Sequence, residues 1–268
     1  MKSRFLLRLV AATVTAMILI PAAGAQQEAA GIPDFSGVWQ RASGKFQQPE
    51  GGGPGAVEQI SPRPDVPIGN YRNAILQPWA AAVVRHNGEM EAAGKPMPEA
   101  KTTCWPGSVP GVFAIPSSME FLQTPKLVTL IYQNDHQVRF VYMDQPHSKD
   151  ITPSWFGESV GRYEGDTLVV DTVGIAAKPM SFIDQFGTPH TDKLHVIERF
   201  RIADGGKMLK VAISVDDSGA FTTKWGALAT LQRSRNDFVE YVCAENNPMI
   251  GIGPSVGEMP RAKYVPPF

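Results

Sequence analysis

From Lys126 onward the chain is cut into short β-rich runs by turn residues, and this spacing constrains the fold more than any other feature. The runs are Leu127 to Tyr132, Val138 to Met143, Ser159 to Tyr163, Thr167 to Val173, Leu194 to Ile202, Met208 to Val215, Phe221 to Leu231 and Phe238 to Cys243. Between them stand Asn134-Asp135, Glu164-Gly165-Asp166, Asp204-Gly205-Gly206, Asp217-Ser218-Gly219 and Asn236-Asp237, residues that supply turn conformations and local hydrogen bonds. The pattern predicts a mainly β fold, an antiparallel meander of about eight strands. Closure into a lipocalin- or calycin-like barrel would leave no open edge and room for one small ligand, with a two-sheet sandwich as the competing arrangement. The Met208 run alternates: Leu209, Val211, Ile213 and Val215 share one face, opposite Lys210, Ala212, Ser214 and Asp216.

Residues 26–125 have a different texture, with Gly51-Gly52-Gly53-Pro54-Gly55 and Pro62, Pro64 and Pro67 marking an irregular stretch. One helix is predicted there, Trp79 to Ala93, with Pro78 at its first turn and Gly94 and Pro96 ending it; Gly88 weakens it. Thr103 to Pro125 reads as extended loop. Gly37-Val38-Trp39 resembles the G-x-W start of lipocalin-type barrels, whose Trp plugs the closed end. The expected organisation is a leader at 1–25, a Pro/Gly-rich segment at 26–125 packed on the barrel, the barrel at 126–245 and a tail at 246–268.

Lys2, Arg4 and Arg8 precede an apolar stretch from Leu9 to Ile20 and then Ala23-Gly24-Ala25, the pattern of a secretory signal cleaved after Ala25. Gln26 follows, not the cysteine of a lipoprotein. Net charge is −1 and the basic residues are scattered, so nothing points to nucleic acid. A periplasmic or secreted protein with no membrane attachment after cleavage is expected. In that compartment Cys104 and Cys243, the two cysteines of the chain, are expected to form a disulfide rather than two free thiols.

Several phrases run across most of the chain: Pro33-Asp34-Phe35-Ser36-Gly37-Val38-Trp39, Pro153-Ser154-Trp155-Phe156-Gly157, Gly161 through Thr172, Leu194-His195-Val196-Ile197-Glu198-Arg199-Phe200, and Glu240-Tyr241-Val242-Cys243. Together they resemble a large family of exported bacterial proteins, with Tyr163 standing where that pattern has Trp. The resemblance implies export and one shared fold, and carries no activity with it.

Reactive side chains are densest between His147 and Arg199, among them Asp150, Ser159, Asp171, Asp184, His190, Asp192, His195 and Glu198. A histidine beside a carboxylate can pass protons near neutral pH. His195, His190 and Asp171 are the candidate catalytic groups, each with the alternative of an ordinary structural role. Trp155, Phe156, Tyr163, Phe182 and Arg199 are the candidate substrate contacts, with core packing as the alternative for the aromatics. Regular strand geometry sends either His195 or Glu198 into the barrel, not both.

Gly157-Glu158-Ser159-Val160-Gly161 matches the G-x-S-x-G nucleophile elbow, with Asp171 and His195 following in hydrolase order. The motif needs a strand-to-helix turn, and here it leads into another strand. The His190 to Glu198 stretch fits no metal-ligand spacing, and Gly251 to Gly257 opens no helix, so no metal and no nucleotide cofactor is expected. The function expected is the binding of a small, largely apolar organic molecule, with His/carboxylate proton transfer of lyase or isomerase type. The alternatives are a non-catalytic carrier or scavenger, a serine hydrolase using Ser159, and an envelope interaction protein docking through Phe113, Ile115, Phe121 and Leu122. Oligomeric state is left open.

Overall fold

The computed structural model describes residues 31–42, 45–95, 97, 103–115, 117–236 and 238–243, and the barrel belongs to a compact unit that starts at Pro33. The expected leader, the tail beyond 245 and the Gly251 to Gly257 stretch lie outside the described residues. The elements are β1 (Gly37–Arg41), α1 (Pro78–Ala92), β2 (Ser118–Gln123), β3 (Leu127–Tyr132), β4 (Gln137–Met143), β5 (Glu158–Glu164), β6 (Thr167–Val173), β7 (His195–Ala203), β8 (Met208–Asp216) and β9 (Trp225–Arg233). The strands close into one barrel in chain order, β9 returning to pair with β1. A closed barrel is compatible with a lipocalin-like architecture and excludes the sandwich.

Six predicted runs became β3 to β8. The run expected from Phe221 starts as a strand only at Trp225, because Phe221 and Thr222 are taken up by backbone bonds to Asp217 and Ile75. Phe238–Cys243 forms no strand. β1 and β2 complete the closed ring instead, so the barrel includes two strands that precede residue 126. β2 lies in the stretch expected to be loop; its prolines, Pro116 and Pro125, flank the strand and leave Met119 and Phe121 free to alternate inward.

The ladder also departs from a pure meander. Every neighbouring pair is antiparallel except β4 and β5, which run parallel through Val141↔Ser159, Tyr142↔Val160 and Met143↔Gly161. A tight turn cannot join parallel strands, so the chain returns along the crossover at 144–157. Three registered pairs make this a short seam beside the nine of β7 and β8.

Trp39 of β1 packs into the core of the barrel. Its ring is fully buried, its Nε1 donates to Phe35 O at 2.8 Å, and the Arg233 guanidinium lies 4.2 Å over the ring. Arg233 also donates to Ser36 O and Gly206 O, tying the barrel's first and last strands. The G-x-W glycine is required here: Gly37 has φ +105°, and a side chain would meet Arg233 Nη1. The inward faces carry Phe121, Leu130, Leu168, Val170, Phe200, Leu209, Val211, Ile213 and Val215, the Met208 run facing as its alternation predicts.

Helix α1 starts with Pro78 at its first turn and buries Ala80, Val84, Asn87 and Gly88. Cys104 and Cys243 are joined in a disulfide across 139 residues of sequence. Among the described residues no helix is long and apolar enough to cross a membrane.

Candidate functional site

Strand alternation sorts the predicted reactive residues onto two sides of the barrel wall. On the outward faces of β5, β6 and β7 stand Glu158, Asp171 and His195, joined by His147 from the crossover. His147 Nδ1 lies 3.0 Å from Glu158 Oε1 and its Nε2 3.2 Å from Asp171 Oδ1, and the same Asp171 oxygen is 2.8 Å from His195 Nε2. The result is a chain of alternating carboxylates and imidazoles, Glu158 to His147 to Asp171 to His195. The predicted meeting of Asp171 with His195 occurs, but outside the barrel and not in its interior. Glu158 also accepts from Ser148 N at 2.7 Å; hydrogen bonds from Ser148, then from His147, hold its carboxyl below the usual range.

The inward side carries a second polar group. Arg139 of β4 sends Nε to Ser159 Oγ at 3.0 Å, Nη1 to Glu198 Oε1 at 3.0 Å and Nη2 to Thr172 Oγ1 at 2.7 Å. Nη2 also reaches Glu198 Oε2, so the carboxylate is held by a two-pronged fork. Arg139, Glu198, Ser159 and Thr172 are all buried. Burial opposes the charge on Arg139, but Glu198 outweighs it and holds the guanidinium above its ordinary pKa. Tyr132 Oη lies against this group and meets no partner at hydrogen-bond geometry; burial raises its phenol pKa, Arg139 opposing.

Ser159 therefore sits opposite a guanidinium and a threonine, with Asp171 and His195 on the other side of the wall. Its strand leads through a hairpin into β6, not into a helix. No nucleophile, base and orienting acid come together there.

His190 belongs to neither group. It is buried in the connection between β6 and β7, where Nδ1 faces the Thr191 carbonyl at 2.9 Å and Nε2 the Ser181 hydroxyl at 2.7 Å. A carbonyl only accepts, so Nδ1 holds the proton and Ser181 donates to Nε2. Burial lowers the His190 pKa and keeps the ring neutral. Asp184 nearby takes N–H groups from Phe186 and Thr188 and the Thr188 hydroxyl, while burial pushes its carboxyl up to about 6. These are loop-shaping contacts.

The predicted substrate contacts are dispersed. Phe156 stacks on Tyr132 at 5.3 Å, and Trp155 meets Trp105 edge-on at 5.5 Å with Lys178 over its ring. Tyr163 packs on the core and accepts from Gln123 Nε2 at 2.8 Å. Phe182 is half-buried, its carbonyl accepting from Ser108. Arg199 is exposed on the outer wall, paired with Glu164 at 2.6 Å. Phe113 and Phe121 are buried, so with Ile115 and Leu122 they form no continuous exposed patch.

The two polar groups meet at the parallel seam. Between β4 and the crossover runs a groove of about 420 Å³, lined by Val138, Phe140 and Tyr142 on one side and Ile151, Thr152 and Phe156 on the other. Arg139, Ser159, Asp150 and Glu158 also border it. The opening follows from topology, because β5 pairs with β4 only from Val141 onward and leaves Val138 to Phe140 facing the crossover. Of the predicted contacts only Phe156 lines this groove.

Sequence reasoning passed over Arg139, Phe140, Tyr142 and Glu158. The signal was present in Gln137 to Met143, where arginine interrupts an otherwise apolar alternating face and aromatics occupy its opposite. Among the described residues no three of His, Cys, Asp and Glu are placed to hold a metal. In the outer chain His147 Nε2 and His195 Nε2 both face Asp171 Oδ1, and His147 Nδ1 faces Glu158. The chain matches no protein-family model and no curated protein.

Proposed function

We propose that this chain is an exported protein of the family its phrases resemble and that it binds a small, largely apolar organic molecule in the groove between β4 and the crossover. One observation carries the reading: Phe140 and Tyr142 remain 48% and 45% exposed on the wall of a concave groove that also offers Phe156, Arg139 and Glu158. Aromatic side chains beside fixed polar groups can orient a small ligand in such a groove. Covering two half-exposed aromatic rings with a ligand supplies on the order of 1 to 2 kcal/mol each at about 25 cal/mol per Å². The signal-like start and the disulfide support export.

Proton transfer is the second reading, favoured because Glu158 both lines the groove and bonds to His147. Against it, a carboxyl held below its usual range is a weak base at neutral pH. Binding is therefore the primary reading. The test is ligand-observed NMR of the full oxidised chain against a panel of small aromatic compounds, repeated with Phe140→Ser. Binders that lose affinity at least tenfold in the variant support the reading; a panel without binders, or binders indifferent to the substitution, would overturn it.

A further inference from the structure

The groove carries a charge imbalance that its aromatic walls make chemically specific. Three ionisable side chains with charge at neutral pH border it: Arg139, Asp150 and Glu158. The Arg139 charge is already matched by the Glu198 carboxylate across its fork, and Ser159 and Thr172 each accept one further donor. The carboxylates of the lining are Asp150 and Glu158, the latter meeting Ser148 N and His147 through one oxygen, Oε1. Behind Glu158 stand His147, Asp171 and His195. Within the lining itself the two carboxylates, Asp150 and Glu158, outnumber the single guanidinium. Lys149 is exposed and outside the lining, and Lys178 is stacked on Trp155, which does not line the groove.

Phe140 and Tyr142 line the same groove as these carboxylates, their ring centroids 6.5 Å apart and their planes tilted by 41°. Tilted aromatic faces near acidic groups attract a cation through the ring quadrupole as well as through charge. A neutral ligand would strip water from the two carboxylates without replacing it, and an anion would meet repulsion. Resting on the groove reading above, we infer that the ligand is an organic cation, an ammonium group carried on an aromatic or aliphatic body. The body lies against Val138, Phe140, Tyr142 and Phe156, and the ammonium faces Glu158 and Asp150.

The experiment compares three probes of similar size on the full oxidised chain by amide chemical-shift mapping: phenyltrimethylammonium, tert-butylbenzene and benzenesulfonate. The expected result is that the cation shifts amides of 138–142 and 154–159 with affinity roughly tenfold above the neutral probe, and that the anion does not bind there. Asp150→Asn, at an exposed position, is expected to cut the cation's advantage over the neutral probe several-fold, and an undiminished advantage would overturn the role given to Asp150. Equal affinity for cation and neutral probe in the groove would overturn the charge preference and leave the groove reading standing. Tighter binding of the anion would also overturn it. Failure of all three to move these amides would overturn both.

Discussion

Arg139 and Glu198 are the pair on which the interior of the barrel turns. Both are buried charges, and each is acceptable in the core only because the other is present. Glu198→Gln leaves the guanidinium unmatched and is expected to cost about 3 to 5 kcal/mol in urea denaturation. Replacing both, as Arg139→Met with Glu198→Leu, is expected to recover much of that loss; a double variant as unstable as the single one would contradict this account. Asp184 makes a pH prediction. Its folded pKa of about 6 stands above the ordinary 3.8, so the folded chain keeps a proton that the unfolded chain releases. Its contribution is thus favourable at low pH and lost as pH rises between about 4 and 6. His190, lowered by burial, acts in the opposite sense, losing stability as pH falls below the unfolded value near 6.5. Asp184→Asn removes only the first effect. Relative to the unsubstituted chain, the variant is expected to gain on the order of 2 kcal/mol between pH 4.5 and pH 7.5. A difference independent of pH would contradict the assignment. At this scale the sequence was partly legible: alternation put His195 and Glu198 on opposite sides, and they are. Which side faced the core depended on Arg139 lying across from Glu198, a contact between residues 59 apart that no local pattern announces.

Among the elements, the seam between β4 and β5 is one of the two shortest ladders of the barrel, the other being the closure of β9 on β1. Its three registered pairs are supplemented from inside by Arg139, which reaches from β4 to Ser159 on β5, Thr172 on β6 and Glu198 on β7. Native-state hydrogen exchange is expected to show the amides bridging β4 and β5 opening at lower free energy than those bridging β7 and β8. Equal protection across the two would contradict the seam. The strands were legible where period-2 alternation coincided with turn residues, as in Met208 to Asp216 between Gly206 and Asp217. They were not where that coincidence failed. Ser118 to Gln123 alternates over too few residues to stand out among prolines, whereas Phe238 to Cys243 has strand-like composition and instead leads into a disulfide. The parallel pairing was hidden because a crossover and a long hairpin loop have the same composition. Gly88 weakened the predicted helix, yet its place is packing: a Cβ there would come within 2.9 Å of Ile68 Cγ2.

At the scale of the whole molecule, two links hold distant parts of the chain together. Arg233 on Trp39 joins the last strand to the first, and the Cys104 to Cys243 disulfide closes a loop of 139 residues in sequence. The chain-entropy model values such a loop at up to about 5 kcal/mol. The reduced chain is expected to unfold at lower denaturant concentration than the oxidised one, and coincident unfolding curves would contradict a stabilising role. The groove reading places the ligand site at the short parallel seam between β4 and β5. The most direct measurement of that claim is a structure of the full chain with a small aromatic binder bound. The account predicts the binder between Phe140 and Tyr142 of β4 and Phe156 of the crossover, with Glu158 within reach. A binder seated inside the barrel, or in the cavity beside Asp184 and Phe186, would contradict it.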